Sequence, residues 1–495
     1  MSRRAPSGLD RGSLGTGGMW FFTVSASAPM TVLAGAVVAT FAVTGVVGVP
    51  LSFVLLAIAL YPFTVAYTAM SRRVPHAGVF YSYLALGLGP TFGVAGGLVA
   101  LLSYNAIQIC LYGLLGASLT GLWPDVHLAW WAWALLAWMI VGGLGVLRNH
   151  VNARVLTILL VCEIGMILLF DIGAFIHPAG GHISLSGLSP GRLFVGGIGG
   201  ALAFGIAAFV GFEVAPVYGE EAKGRTPVVR ATFGALAFLG VLYAVSSLAL
   251  SVAVGPDNVV SAAQDPGSGI PFSTISGMYG GAVAEIARLL LITSVFAALV
   301  SFHNSSARYV FAMARERVLP PWLGVVGSRS RAGAPIGGSL LQSVVALVVF
   351  GSFAAAGADP VTALFTWLSY IAAVGVLALM VATSVAALRY FRTATPTPTS
   401  PPESVWVRVT APVLGAVMLS AVLVVTVYNS SAVLGTNSSS PLTVLLPGIV
   451  ALFAVIGLGW GTILQRVRPA VYQNIGAGQT KPLAVLSHAF AGEEI

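Results

Sequence analysis

Apolar runs of roughly twenty residues, the length a helix needs to cross the hydrocarbon core of a bilayer, recur along this sequence from end to end. Only 8% of the residues are charged and 57% are hydrophobic, where about 25% charged is usual for a soluble domain. An all-α integral membrane protein, with the lipid bilayer as its first partner, is therefore expected. The net charge of +8 does not point to nucleic acid, because the arginines sit between the apolar runs. Cys110 and Cys162 fall inside runs, show neither a disulfide framework nor metal-ligand spacing, and read as small buried hydrophobes. The small residues Ser25 to Pro29 imitate a signal-peptide cleavage site. The apolar run before them, 19–24, is too short for a signal sequence and hydrophobicity resumes at once, so no cleavage is expected.

Twelve transmembrane helices are expected, near 19–45, 48–70, 80–118, 128–147, 155–176, 194–218, 230–254, 281–313, 335–357, 361–388, 411–430 and 442–464. Positive residues favour the cytoplasmic side. With the N-terminus inside, the arginines and lysines, from Arg3, Arg4, Arg11, Arg72 and Arg73 through Arg148, Arg154, Arg308, Arg315, Arg329 and Arg331 to Lys481, gather there. Of the 23 basic residues, Arg192 and Arg288 fall on or near the other side. A multi-pass protein of the inner cell membrane with both termini cytoplasmic follows. The chain divides into a cytoplasmic N-terminal segment 1–18, five helices in 19–176, five in 194–388, a cytoplasmic linker 389–410, a final pair in 411–464 and a cytoplasmic tail 465–495. Thr393 to Ser404, rich in Pro, Ser and Thr, favours an extended linker. A short surface helix is expected within 255–280.

Two runs are interrupted. The first breaks at Ser25-Ala26-Ser27-Ala28-Pro29. The sixth carries Gly205, Gly211, Glu213 and Pro216 and closes on Glu220, Glu221, Lys223 and Arg225. These are equivalent places if helices one to five and six to ten are inverted repeats, and paired broken helices are the sequence pointer to a transporter's binding site. Unwound backbone at membrane depth is tolerated where it lines a cavity or meets a ligand. The plainer reading is two flexible kinks with no ligand.

Four stretches resemble bacterial permeases of the amino acid–polyamine–organocation superfamily, and the resemblance covers nearly the whole chain. They are SASAPMTVLAG at 25–35, RRVPHAGVFYSYLALGLGPTFG at 72–93, FVGFEVAPVYGEEAKGRTPVVRA at 209–231 and HNSSARYVFAMARERVLP at 303–320. The resemblance implies the leucine-transporter-type fold, a 5+5 inverted repeat plus two peripheral helices, and movement of amino acids, amines or polyamines by alternating access. It also implies that N–H groups around Ser25, Ala26, Ser27 and Ala28 hold a substrate carboxylate, and that carbonyls near Phe204, Gly205 and Ala208 take its amino group. A half-helix N-terminus attracts anions and C-terminal carbonyls attract cations, so elementary electrostatics agrees.

Glu163 lies in the fifth run, about 13 Å along the helix from Arg154. Several relatives carry a lysine at the matching place, and others bind sodium there. A carboxyl group taken out of water holds its proton more readily, which suits a proton carrier. The same oxygens could instead ligate sodium with Ser301 or Ser305, or form a structural hydrogen bond. Glu213 would brace the second break and could sense protons. Tyr104 and Gln108, one turn apart, share a face that either lines the substrate cavity or acts as polar glue between helices. His303 and Asn304 read as a satisfied structural pair, Asp171 as a solvated interfacial carboxylate, and Glu220 and Glu221 as solvated gate residues paired with arginines. Glu285 and Arg288 read as a local ion pair, and the tryptophans at 130, 131, 133 and 138 as interfacial aromatics facing lipid. Ala207 and Ala208 stand where many relatives have an aromatic gate, a role that Phe204 or Phe209 could fill.

The expected function is secondary active import of an amino acid or related amine, coupled to protons, with sodium as the alternative ion and exchange as the alternative mode. No cofactor and no metal site is expected. A membrane enzyme is disfavoured: the histidines sit mostly in loops, and neither HExxH spacing nor a nucleophile elbow occurs. An ATP-driven pump would need a Walker-type GxxxxGK[ST], which is missing.

Overall fold

The computed structural model describes residues 9, 12–146, 149–327, 333–393 and 403–478, with backbone alone for 149–156 and Pro266. Arg3, Arg4, Arg11, Arg148, Arg329, Arg331 and Lys481, residues 394–402 of the linker and the end of the tail lie outside the described residues, as does the Arg154 side chain.

Among the described residues the chain is helical, apart from one parallel bridge between Leu14 and Ala222. Ten helices are long and apolar enough to cross a membrane: Thr16–Thr44, Val49–Arg73, Pro90–Leu122, Thr157–Ile176, Thr226–Val254, Gly281–Arg315, Ile336–Ala355, Pro360–Thr393, Trp406–Tyr428 and Leu442–Val467. Three apolar helices are shorter: Val79–Leu88, Trp130–Gly145 and Ile198–Phe209. Each expected run thus coincides with helix, with two differences. The third is two helices, because Gly89 at φ 118° ends the first and Pro90 opens the next. The sixth stops at Phe209, where the chain turns into an extended Val210 and a Gly211 at φ 116°. The 255–280 segment holds two short helices, Val259–Gln264 and Phe272–Tyr279.

Pro90–Leu122 packs against Leu442–Val467, Gly281–Arg315 and Thr366–Thr393. Small residues allow the approach: a Cβ on Gly461 would lie 2.8 Å from the Thr91 Cα. Without a hydrophobic drive between helices in lipid, such close contact supplies the attraction. Tyr67, Tyr104 and Tyr243 are wholly or almost wholly buried. A buried phenol needs a partner, and these three find theirs at the two helix breaks. Tyr67 donates to the Glu213 carbonyl at 2.8 Å, Tyr104 to the Glu213 carboxylate at 3.0 Å, and Tyr243 to the Ser27 carbonyl at 3.1 Å.

Several surface readings change in three dimensions. Cys110 is buried, but Cys162 is exposed on the outer face of its helix. Asp171 is 4% exposed and accepts a hydrogen bond from Ser246 at 2.9 Å, so it is not a solvated carboxylate. Trp131 is exposed as expected, whereas Trp138 turns inward and donates to the Ser343 carbonyl at 2.8 Å. Glu285 and Arg288 pair at 3.5 Å.

Candidate functional site

The first break is written into three consecutive residues. Proline disfavours helical backbone in the residue before it and brings no N–H of its own. Ala28, before Pro29, sits in the left-handed region at φ 45°, ψ 67°, a conformation that costs a residue with a Cβ roughly 1–2 kcal/mol. Helix resumes at Pro29, and Met30 is its first residue with a free N–H to offer. That donor goes to Glu163 Oε1 at 2.6 Å, and the Ser294 hydroxyl donates to the same oxygen at 2.7 Å. A charge-assisted hydrogen bond of this kind contributes about 1.5–3 kcal/mol, which offsets the strain at Ala28.

The second break is braced by Glu213. Its Oε2 accepts from Gly211 N–H at 2.9 Å, closing the turn, while its Oε1 receives the Tyr104 hydroxyl. Ending the helix at Phe209 deprives the carbonyls of its last turn of their usual partners. Ala207 and Phe209 instead accept from Val210 and Phe212 N–H at 3.2 and 3.1 Å, which leaves Ala208 as the carbonyl to offer. The two breaks touch: a Cβ on Gly211 would lie 2.9 Å from both the Ala26 carbonyl carbon and the Ser27 nitrogen. Only a residue without a side chain, and with access to positive φ, fits there.

A cavity of about 300 Å³ opens beside this junction. It is lined by Ala26, Ser27 and Ala28 at the first break, by Ala203, Phe204, Ala207, Ala208 and Val210 at the second, and by Ile107, Leu111 and Leu114 between them. Phe302, Phe365 and Tyr370 add aromatic surface, and Thr31, Thr366, Ser369 and Thr426 add hydroxyls; among the described residues no charged side chain lines it. Its walls run from Ala26 forward through Ala39 and from Val210 back to Ala203, so it lies on one side of both breaks.

The other side is sealed. Leu14 exchanges backbone hydrogen bonds with Glu221 and Lys223, Phe22 stacks on Tyr218 at 4.7 Å, and Arg308 pairs with Glu221 at 2.7 Å with both side chains wholly buried. The Arg308 guanidinium also lies 4.5 Å above the Tyr218 ring and donates to the Asn304 carbonyl. Arg315 makes two 2.7 Å bonds to Glu220, which accepts from Ala77 N–H. Glu220 and Glu221 therefore pair with arginines as expected, but Glu221 does so in a packed interior rather than in solvent, while Glu220 is partly buried. Beyond them Glu316 accepts from Tyr81, Gly476 N–H and Gly478 N–H and pairs with His76 at 2.8 Å, tying the chain after the last helix to this end.

Of the residues singled out in the sequence, Ala26, Ser27, Ala28, Phe204 and Ala208 line the cavity. Ser25 is buried behind the first break, and Gly205 faces Leu56 on a neighbouring helix. Phe209 packs on Phe53 and Tyr243, leaving Phe204 as the aromatic of that turn at the cavity. Tyr104 stands behind the second break on Glu213. Gln108 bonds the Tyr112 hydroxyl and receives Gln342 at 2.7 Å, acting between helices. His303 Nε2 lies 2.7 Å from the Ser339 hydroxyl, but His303 Nδ1 and Asn304 Nδ2 are buried with no hydrogen-bond partner among the described residues, so the two are not the satisfied pair expected. Sequence reasoning missed Ile107, Leu111 and Leu114. Their i, i+4, i+7 spacing marks one helix face, but the polar residues of this helix, Tyr104 and Gln108, drew attention to another, and nothing in the apolar remainder says which face meets a cavity.

A family model described as amino acid permease matches residues 15–452. The chain belongs to that family. It is 27% identical over 287 residues to the L-lysine transport protein of Corynebacterium glutamicum, an alignment covering 53% of this chain and 54% of that protein, about half its length. It is 26% identical over 343 residues to the branched-chain amino acid permease BcaP of Lactococcus lactis, covering 65% of this chain and 71% of the relative. Family and relatives point to a transporter of amino acids rather than an enzyme, and the apolar helices to a multi-pass membrane protein.

Proposed function

We propose that this protein imports an amino acid with an uncharged, apolar side chain across the inner membrane by alternating access, driven by protons. The observation that carries the reading is the cavity bounded by both helix breaks, apolar and hydroxyl-lined, with no charged side chain on its wall among the described residues. The substrate carboxylate would face the start of the half-helix at Pro29, and its ammonium the carbonyls that end at Phe209. The side chain would lie among Ile107, Leu111 and Phe302. A lysine ammonium there would be buried without a partner, which costs several kcal/mol. Taking about 3 kcal/mol, leucine is favoured roughly 100-fold. In this respect the site resembles the chemistry named for the branched-chain relative more than that named for the lysine relative.

The cavity opens away from the arginine-rich end, so we read the conformation as outward-facing with both termini cytoplasmic, and the helices as twelve spans in two five-helix repeats, 19–176 and 194–388, plus the pair in 411–464. Glu163 and Glu213 are the coupling candidates. Sodium held at Glu163 and amino acid exchange are the alternatives.

Purified protein in proteoliposomes tests this. Labelled leucine should accumulate under an inward proton gradient without sodium, a protonophore should abolish accumulation, and a tenfold excess of lysine should compete weakly. Uptake that needs internal amino acid and ignores the gradient would establish exchange instead. Equal competition by lysine would defeat the substrate reading.

A further inference from the structure

The half-helix expected to attract a substrate's carboxylate already holds one from the protein. Met30 N–H, the first donor after Pro29, is taken by Glu163. Ser294 donates to that same oxygen, and Thr31, a residue of the cavity wall, donates to Ser294 at 3.3 Å. A short polar chain thus leads from the cavity through Thr31 and Ser294 to Glu163, itself 1% exposed and absent from the cavity wall.

The surroundings of Glu163 contain no compensating cation among the described side chains. From Thr226–Val254 the titratable group facing it is Tyr243, whose hydroxyl is committed to the Ser27 carbonyl. The helices Thr16–Ala26 and Pro29–Thr31 contain no titratable side chain. On Gly281–Arg315, Glu285 and Arg288 pair with each other, His303 sits on Ser339, Arg308 on Glu221 and Arg315 on Glu220. On its own helix Asp171, about 12 Å further along, is held by Ser246.

We propose that Glu163 and the substrate's carboxylate compete for the start of this half-helix, so that substrate binding requires a proton on Glu163. The inference rests on the reading of the cavity as an amino acid site. Two carboxylates converging on one buried helix start cannot both stay ionised. Binding of the anion is therefore accompanied by one proton from the bulk solution, which reaches a Glu163 oxygen from the cavity side, neutralises Glu163 and loosens its claim on Met30 N–H. Substrate and proton then load as a pair, without direct contact between them. Ser294 positions the carboxylate, and its hydroxyl can turn from donor to acceptor as the proton arrives.

The test is binding of labelled leucine to the full chain in nanodiscs from pH 5.5 to 8.5, with proton uptake followed by an indicator dye in weak buffer. The wild type should take up close to one proton per leucine at the alkaline end, its Kd weakening about tenfold per pH unit there. Glu163→Gln should bind leucine with a Kd independent of pH and no proton uptake, and Glu163→Asp should restore both. Ser294→Ala, which keeps the carboxyl group but removes a donor to its ionised form, should move the midpoint to higher pH. Leucine binding without proton uptake in the wild type, or uptake retained in Glu163→Gln, overturns the competition while sparing the substrate reading. No leucine binding by the wild type at any pH overturns both.

Discussion

The buried Arg308–Glu221 pair makes a quantitative claim about the sealed end. Both side chains are wholly buried, with 2.7 Å from Nε to Oε1 and 3.4 Å from Nη2 to Oε2. Removing one partner of such a pair strands a charge and costs roughly 3–5 kcal/mol, whereas replacing both by apolar side chains is often neutral. Arg308 would keep the Asn304 carbonyl and the Tyr218 ring, so the lower end, about 3 kcal/mol, is the appropriate figure for Glu221→Leu. That cost falls on the conformation closed at this end, and it shifts the closed-to-open ratio on the order of 100-fold. Thr23, buried on the sealed side of the first break, provides the probe. As Thr23→Cys, in a background lacking Cys110 and Cys162, it should react with an impermeant maleimide applied from the Arg315 end about 100-fold faster in Glu221→Leu than in the parent. The double variant Glu221→Leu, Arg308→Met should return towards the parent rate. Equal labelling of parent and single variant, or a double variant faster than the single, would refute the pair as the seal.

Gly211→Ala places a Cβ 2.9 Å from the Ala26 and Ser27 backbone at φ 116°, with strain of about 1–3 kcal/mol. Leucine uptake should fall at least tenfold at near-normal expression, and wild-type uptake would show that the breaks need not touch. Glu316→Gln probes the clasp on the chain after the last helix. Burial works against the ionised Glu316, but hydrogen bonding and charge from His76, with bonds from Tyr81 and Gly476, outweigh it and hold the carboxyl below its ordinary range. A depressed folded value means that the stabilisation is present above the unfolded carboxylate range, near pH 4.3, and is lost as pH falls through the folded value. The melting temperature of the wild type should exceed that of Glu316→Gln at pH 6, and the gap should close below about pH 4. A gap constant with pH would show that ionisation of Glu316 contributes nothing.

Local signals carried much of the site. Proline restricts its neighbour and withholds a donor, so Ala28-Pro29 marked the first break within a residue or two, although Pro62, Pro412 and Pro447 stand in continuous helix. Gly211 and Pro216 marked the second. Glu163 and Glu213 stood out because a carboxylate at membrane depth must have a partner or a task. Tyr104 and Gln108 carried only half of their message. Polarity in an apolar helix says that a group must be satisfied, not by whom, and Glu213 and Gln342 became the partners.

Where the apolar helices fall along the chain, and in what order, was legible in the sequence, because crossing a bilayer requires long apolar runs that satisfy their own backbone groups; the splits at Gly89 and Phe209 and the individual helix lengths were not. Which face of each helix meets lipid, a neighbouring helix or the cavity was decided only by tertiary structure. In a soluble protein the polar face of a helix announces its orientation, but here most faces are apolar, and the few polar residues, Tyr104 and Gln108 among them, mark contacts between elements rather than the cavity. The contact between the two breaks, the seat of Glu163 on Met30 N–H and the burial of Glu221 against Arg308 all join residues more than eighty positions apart, through backbone groups and close packing that no local pattern encodes.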